Sequence, residues 1–173
     1  MIIRDATLAD LPAITAIYAH HVLHGTGTFE ETPPEEDEMA ARMAKVQGAG
    51  HAWLVAEQEG RVAGYGYYAP FRERSAYRFT AEDSIYVRDD VRGMGVGKAL
   101  VQALLARAEA AGMRQMIAVI GDSENVGSIG LHAALGFRQV GVMKAVGLKF
   151  GRWLDVVTMQ RALGEGEHSI PAR

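Results

Sequence analysis

The sequence predicts an α/β domain: a mixed central sheet of about seven strands with helices on both faces. Three observations carry that prediction. Residues 84–87 alternate, with Ile85 and Val87 apolar, and lead through a polar turn into three alternate glycines and a helical pattern. That helix has the clearest periodicity in the chain, a stripe of Val96, Leu100, Leu104 and Ala108 widened by Val101 and Leu105, and Gly112 supplies its left-handed stop. Residues 115–120 then form an apolar run, the pattern of a central strand covered on both sides.

The other elements follow in order. Residues 1–4 read as a short first strand. Thr7 to Asp10 is a capping signal with Pro12 in the first turn, and Leu11, Ile14 and Tyr18 recur at helical spacing to about Val22. Residues 24–34, rich in Gly, Thr and Pro, are a loop. A second helix covers about 35–47, with Glu35, Glu36 and Asp37 at its start and Lys45 near its end, as the helix dipole prefers. Strands at 52–57 and 61–69 flank Gly60 as a hairpin. A loop at 70–76 precedes a long strand expected from Tyr77 to Val87. A helix at 125–135 closes at Gly136, strands follow at about 137–144 and 153–161, and residues 164–173 read as a loose tail after a single domain spanning 1–163.

Composition narrows the function. The 173 residues suffice for one sizeable core. A net charge of −3 argues against a broad nucleic-acid footprint. With no cysteine, the chain has no disulfide, no thiolate metal site and no thiol nucleophile. Charge arrives by Arg4, and no apolar run approaches a membrane span, so a cytoplasmic protein without membrane attachment is expected. The histidines at 20, 21, 24, 51 and 168 show no ligand spacing with acids, so no metal site is expected.

The glycine loop between strand and helix is built to hold an anion: glycines admit close backbone approach, and free N–H groups of the first helical turn point outward. It is not a P-loop. Gly97-Lys98 would require glycine at 92, where Arg92 stands, and Ala99 replaces the magnesium-holding hydroxyl. Nor is it a dinucleotide fingerprint, whose third glycine would fall on Lys98 or Leu100. The pattern Arg92-x-x-Gly95-x-Gly97 resembles the pyrophosphate loop of the GCN5-related N-acetyltransferases (GNAT), which bind acetyl-CoA. The element order matches that family's fold over nearly the whole chain. Asn125-x-x-Ser128-x-x-x-His132-x-x-x-Gly136-Phe137 resembles its second cofactor segment. Residues 77–87 and 149–155 resemble the subfamily that acetylates phosphinothricin and methionine sulfoximine or sulfone.

The resemblance implies roles residue by residue. Arg92, Gly93, Met94, Gly95, Val96, Gly97 and Lys98 would hold the pyrophosphate. Ile85, Tyr86 and Val87 would offer backbone groups to the pantetheine like an added strand, with the Val87 N–H or a neighbour polarising the thioester carbonyl. Asn125 and Ser128 would flank the pantetheine arm, although Asn125 is also an ordinary helix cap. Glu82 is the candidate general base, with a strand-surface acid as the competing reading. Asp83 points to the opposite face of that strand. His132, where many family members carry a tyrosine acid, would protonate the leaving thiolate or relay a proton, or else serve as a hydrogen-bonded structural residue. Arg72 and Arg74, with Glu73 between them and Arg78 and Lys149 behind, would grip substrate anions, with Asp83 and Ser84 lining the same site. Phe29 would cover an apolar stem or anchor its own loop. Glu30 beside it disfavours a second anionic group on the substrate.

Three functions remain. The first is direct acetyl transfer to a small amino-acid analogue in a ternary complex, with detoxification as its purpose. The second is the same chemistry on another amine: a protein N-terminus, a lysine or a polyamine. The third is a non-catalytic CoA-binding sensor. The resemblance also implies a homodimer with the C-terminal strands near its interface; the apolar run Val156, Val157, Thr158 and Met159 fits that idea and equally fits a core strand.

Overall fold

The computed structural model describes residues 1–172, so Arg173, the end of the expected tail, lies outside the described residues. Seven strands, β1 (Ile2–Asp5), β2 (Trp53–Gln58), β3 (Arg61–Pro70), β4 (Thr80–Val87), β5 (Gln115–Gly121), β6 (Arg138–Lys149) and β7 (Arg152–Ala162), form one sheet in the order β1-β2-β3-β4-β5-β7-β6. Only β4 and β5 pair in parallel. Four helices, α1 (Leu11–His24), α2 (Glu36–Gly48), α3 (Val96–Ala110) and α4 (Val126–Ala134), cover it.

Each face has its own core. Leu100, Val101, Leu104 and Ala108 of α3 pack on Leu54, Ala63, Ala81 and Met116. Ile14, Ile17, Tyr18 and Val22 of α1 join Met39 and Met43 of α2 over Trp53, Val55 and Tyr65. The amphipathic stripes read from the sequence therefore face the sheet from opposite sides.

Three boundaries differ from expectation. Residues 75–77 form a single 3-10 turn, so β4 begins at Thr80 and not at Tyr77. Strand β6 does not stop near 144. A bulge at residues 143–147, with Ala145 at φ 54°, bends it onward to Lys149. Asp155 holds that bulge, accepting from the Ala145 N–H at 2.9 Å and from Lys144 at 2.8 Å. The segment after Leu163 turns back on Arg114, which donates to Gly166 O and Ser169 Oγ at 3.0 Å each.

Strand β7 lies between β5 and β6, and its Val156, Val157 and Met159 are buried. Their side chains fill the core. On the edge strand β6, Val140, Val142, Met143, Val146 and Leu148 all stand in solvent.

The feature that positions the site is a parting of strands. Pairing of β4 with β5 ends at Asp83 opposite Ala118, although β4 continues to Val87 and β5 to Gly121. The two strands splay beyond that point, leaving unpaired edges that face each other across a wedge.

Candidate active site

A cleft of about 760 Å³ fills the wedge. Ser84 to Val87 wall one side and Ala118 to Gly121 the other. The loop before α3 closes the top, and α4 contributes Ser128, Leu131 and His132. The Arg88 N–H donates to Ala63 O on β3, so strand alternation turns the Val87 N–H away from β3 and into the wedge. The Val87 carbonyl faces the same way and accepts from His21 Nε2 at 2.8 Å. Burial holds the His21 imidazole below its usual pKa.

At the mouth, Gly93 (φ 76°) and Gly95 (φ 82°) adopt left-handed conformations that other residues take only with strain. Gly95 caps α3. The Ala99 N–H is the first to bond back, to Gly95 O at 3.0 Å, which leaves the Val96, Gly97 and Lys98 amides pointing into the cleft. Gly97 allows α4 to approach, since a Cβ there would lie 3.1 Å from Leu131 Cδ2. Arg92 and Lys98 are exposed beside it, Arg92 paired with Asp89 at 3.0 Å. Met94 is exposed on the same loop. The result is a cradle of free amides at a helix N-terminus, suited to a diphosphate.

The closed end of the wedge carries the titratable groups. Asp83 and His132 are both buried and lie 2.9 Å apart, Oδ2 to Nε2. The His132 Nδ1–H donates to Ser128 O at 2.8 Å. Burial opposes charge on this ring, but the Asp83 carboxylate and the Ser128 carbonyl outweigh it and raise its pKa. Asn125 borders the cleft and caps α4, accepting from the Ser128 N–H at 3.2 Å.

Glu82 stands on the other face of β4, with Ser84 and Tyr86, beside Tyr67. Burial raises its carboxyl pKa against the pull of Arg72. The root of the wedge thus has a buried acid–imidazole pair on the α3–α4 side and a half-buried carboxylate on the α1–α2 side. Two reactants can meet there from opposite faces.

The expected anion grip is only partly assembled. Arg72 lies in solvent over the Phe71 ring, 4.1 Å from its centroid, and its field reaches Glu82. Glu73 and Arg74 are exposed on the same loop. Lys149 departs from its expected role. It is buried, and its ammonium donates to Gly25 O and Thr28 O at 2.8 Å each, so it ties down the 25–35 loop. Phe29 anchors that loop too, its ring wedged between Gly121 and Gly147. The Glu30 charge is also committed. Arg42 binds it bidentately at 2.7 and 3.1 Å and the Tyr18 hydroxyl donates to it, so it does not repel an anionic substrate as a bare acid would.

Sequence reasoning missed several members of the cleft. His21 gave no signal beyond a helical histidine. Asp122, at φ 75°, gathers Thr26, Arg152 and the Glu124 N–H across three segments. Phe150, exposed in a left-handed turn with Gly151, overhangs the cleft.

The acetyltransferase (GNAT) family model matches residues 15–137. This chain belongs to the GNAT family. Two relatives show how closely. A phosphinothricin N-acetyltransferase of Alcaligenes faecalis is 56% identical over 170 residues, spanning 98% of this chain and 85% of that one. An L-methionine sulfoximine/L-methionine sulfone acetyltransferase of Pseudomonas aeruginosa is 47% identical over 159 residues, spanning 91% and 92%. Among solved structures, a GNAT phosphinothricin acetyltransferase from Sinorhizobium meliloti in complex with AcCoA superimposes with a TM-score of 0.96. It is 53% identical, and the match covers 99% of this chain and 92% of that one. The GNAT fold expected from the glycine loop and element order is the fold observed. Among the described residues no helix is long and apolar enough to cross a membrane, and no three His, Asp or Glu cluster as metal ligands.

Proposed function

We propose that this GNAT enzyme transfers the acetyl group of acetyl-CoA directly to the amine of a small amino-acid analogue of the phosphinothricin or methionine sulfoximine/sulfone type. The splay of β4 from β5, with free amides at its mouth and titratable groups at its root, carries this reading. The pyrophosphate occupies the Gly93–Lys98 cradle. The pantetheine runs along the β4 edge toward the closed end, and the inward N–H groups of Ile85 and Val87 lie along its path to polarise the thioester carbonyl. With no cysteine to carry the acetyl group, the amine attacks the thioester itself. Glu82 takes the amine proton, its raised pKa bringing it nearer to the task. Arg72 and Arg74 supply positive charge for the acceptor's anionic groups, and the Arg42 clamp on Glu30 removes the nearest repulsion. Phe29 lines the acceptor's side.

The names of both relatives support an amino-acid analogue over a polyamine, and so does this positive loop. A homodimer through the exposed β6 edge fits its row of apolar side chains. A detoxifying role fits that substrate class. The test is thiol release from acetyl-CoA against a panel of phosphinothricin, methionine sulfone, methionine sulfoximine, polyamines and peptides. Turnover should concentrate on the first three. Turnover only with peptides or polyamines would replace this acceptor class, and coenzyme A binding without any turnover would favour a sensor.

A further inference from the structure

The acid that protonates the departing sulfur has to reach it, and His132 is badly placed for that. The ring is 3% exposed, and both of its nitrogens already face protein oxygens, Asp83 Oδ2 at 2.9 Å and Ser128 O at 2.8 Å. Ser128 is half-buried on the cleft wall, one helical turn before His132, and its Oγ lies 3.5 Å from His132 Nδ1. That is its hydroxyl's one side-chain contact among the described residues. Other polar side chains of the cleft wall are engaged elsewhere: His21 on Val87 O, Thr26 on Asp122 and Asn125 on the Ser128 N–H. Asp83 marks the last β4–β5 pair, so the row Ser128–His132–Asp83 runs from the cleft wall into the end of the wedge where the thioester arrives.

We propose that the Ser128 hydroxyl is the catalytic residue that protonates the leaving thiolate, with His132 resupplying its proton and Asp83 positioning His132; this rests on the acetyl-transfer reading above. The amine nitrogen bonds to the acetyl carbon and the carbon–sulfur bond breaks. The thiolate takes the Oγ proton, and Oγ takes the Nδ1 proton of the imidazolium, which swings from the Ser128 carbonyl, its partner in the resting site at 2.8 Å, to the hydroxyl 3.5 Å away. His132 is left neutral, its Nε2–H still on Asp83. The amine proton leaves separately to Glu82. The arrangement is a hydroxyl–imidazole–carboxylate row run as an acid, recognised by geometry and role and not by chain order.

The discriminating readout is the leaving group. Coenzyme A departs as a basic thiolate that needs a proton, whereas 4-nitrothiophenolate does not. Ser128→Ala should lower kcat with acetyl-CoA by about 10²-fold, but with the acetyl thioester of 4-nitrothiophenol by less than about 3-fold. Affinity for coenzyme A, read by calorimetry, should stay within about 2-fold of wild type, because the backbone N–H that Asn125 caps is retained. Asp83→Asn, which leaves the cleft wall intact, should show the same donor dependence, and Ser128→Thr should restore much of the rate. Equal losses with both donors, or no loss with acetyl-CoA, would overturn the relay while leaving acetyl transfer standing. A wild-type enzyme with no acetyl-CoA turnover would overturn both.

Discussion

Gly147→Ala tests how the acceptor side of the site is built. The position on β6 has ordinary backbone angles, so any effect is steric. A methyl there would lie 2.7 Å from Phe29 Cδ2 and 3.0 Å from Cζ, and closer still to Cε2. The ring cannot retreat, because Gly121 backs it, where a Cβ would lie 2.8 Å from Phe29 Cε1. Overpacking of this kind costs about 1–3 kcal/mol, which for a chain of this length lowers Tm by roughly 2–12 °C. Phe29 is 37% exposed, so Phe29→Ala alone should cost about 1–2 kcal/mol. In Phe29→Ala/Gly147→Ala the clash has no partner, so the double variant should be about as stable as Phe29→Ala, with a coupling energy of about 1–3 kcal/mol. Thermal melts of the four proteins measure this, and the acceptor KM should rise wherever the 25–35 loop shifts. Additive losses would show that the ring is not held between the two glycines.

Three further outcomes are expected. Glu82→Gln should leave coenzyme A affinity unchanged and cut kcat by about 10²–10⁴-fold, flattening the acidic limb of the rate profile; unchanged turnover in the thiol-release assay removes Glu82 as the base. Because the folded His132 pKa is raised, its pairing with Asp83 stabilises fully below the unfolded value near 6.5 and fades as pH rises through the folded value. The Tm gap between wild type and Asp83→Asn should therefore narrow from pH 5 to pH 9, and a widening gap would reverse the assignment. Lys149→Met strips a charged donor from two carbonyls, at about 2–4 kcal/mol, and should expose the 25–35 loop to limited proteolysis before any other segment; an unchanged cleavage pattern would show that Lys149 does not anchor it.

Much of the architecture was legible because it rests on local periodicity. The α3 stripe, the covered β5 run and the glycine loop each declare themselves within about fifteen residues. What stayed hidden depends on contacts between distant segments. Glu30 looked like a repulsive acid until Arg42, from the next helix, was found clamped on it. Lys149 looked like a free cation, but two carbonyls from a loop more than a hundred residues earlier hold it. Val156, Val157 and Met159 had the apolar pattern of either an interface or a core, and only the strand order places them inside. For the same reason Asp83 and His132, 49 residues apart, could be sorted to faces but not joined.

Amide hydrogen exchange with saturating acetyl-CoA tests the central claim most directly. If the cofactor lies in the β4–β5 wedge, the Ile85 and Val87 amides and those of Val96, Gly97 and Lys98 should gain protection together, while the β6 edge stays unchanged. Protection confined elsewhere, or none at saturation, would contradict the account.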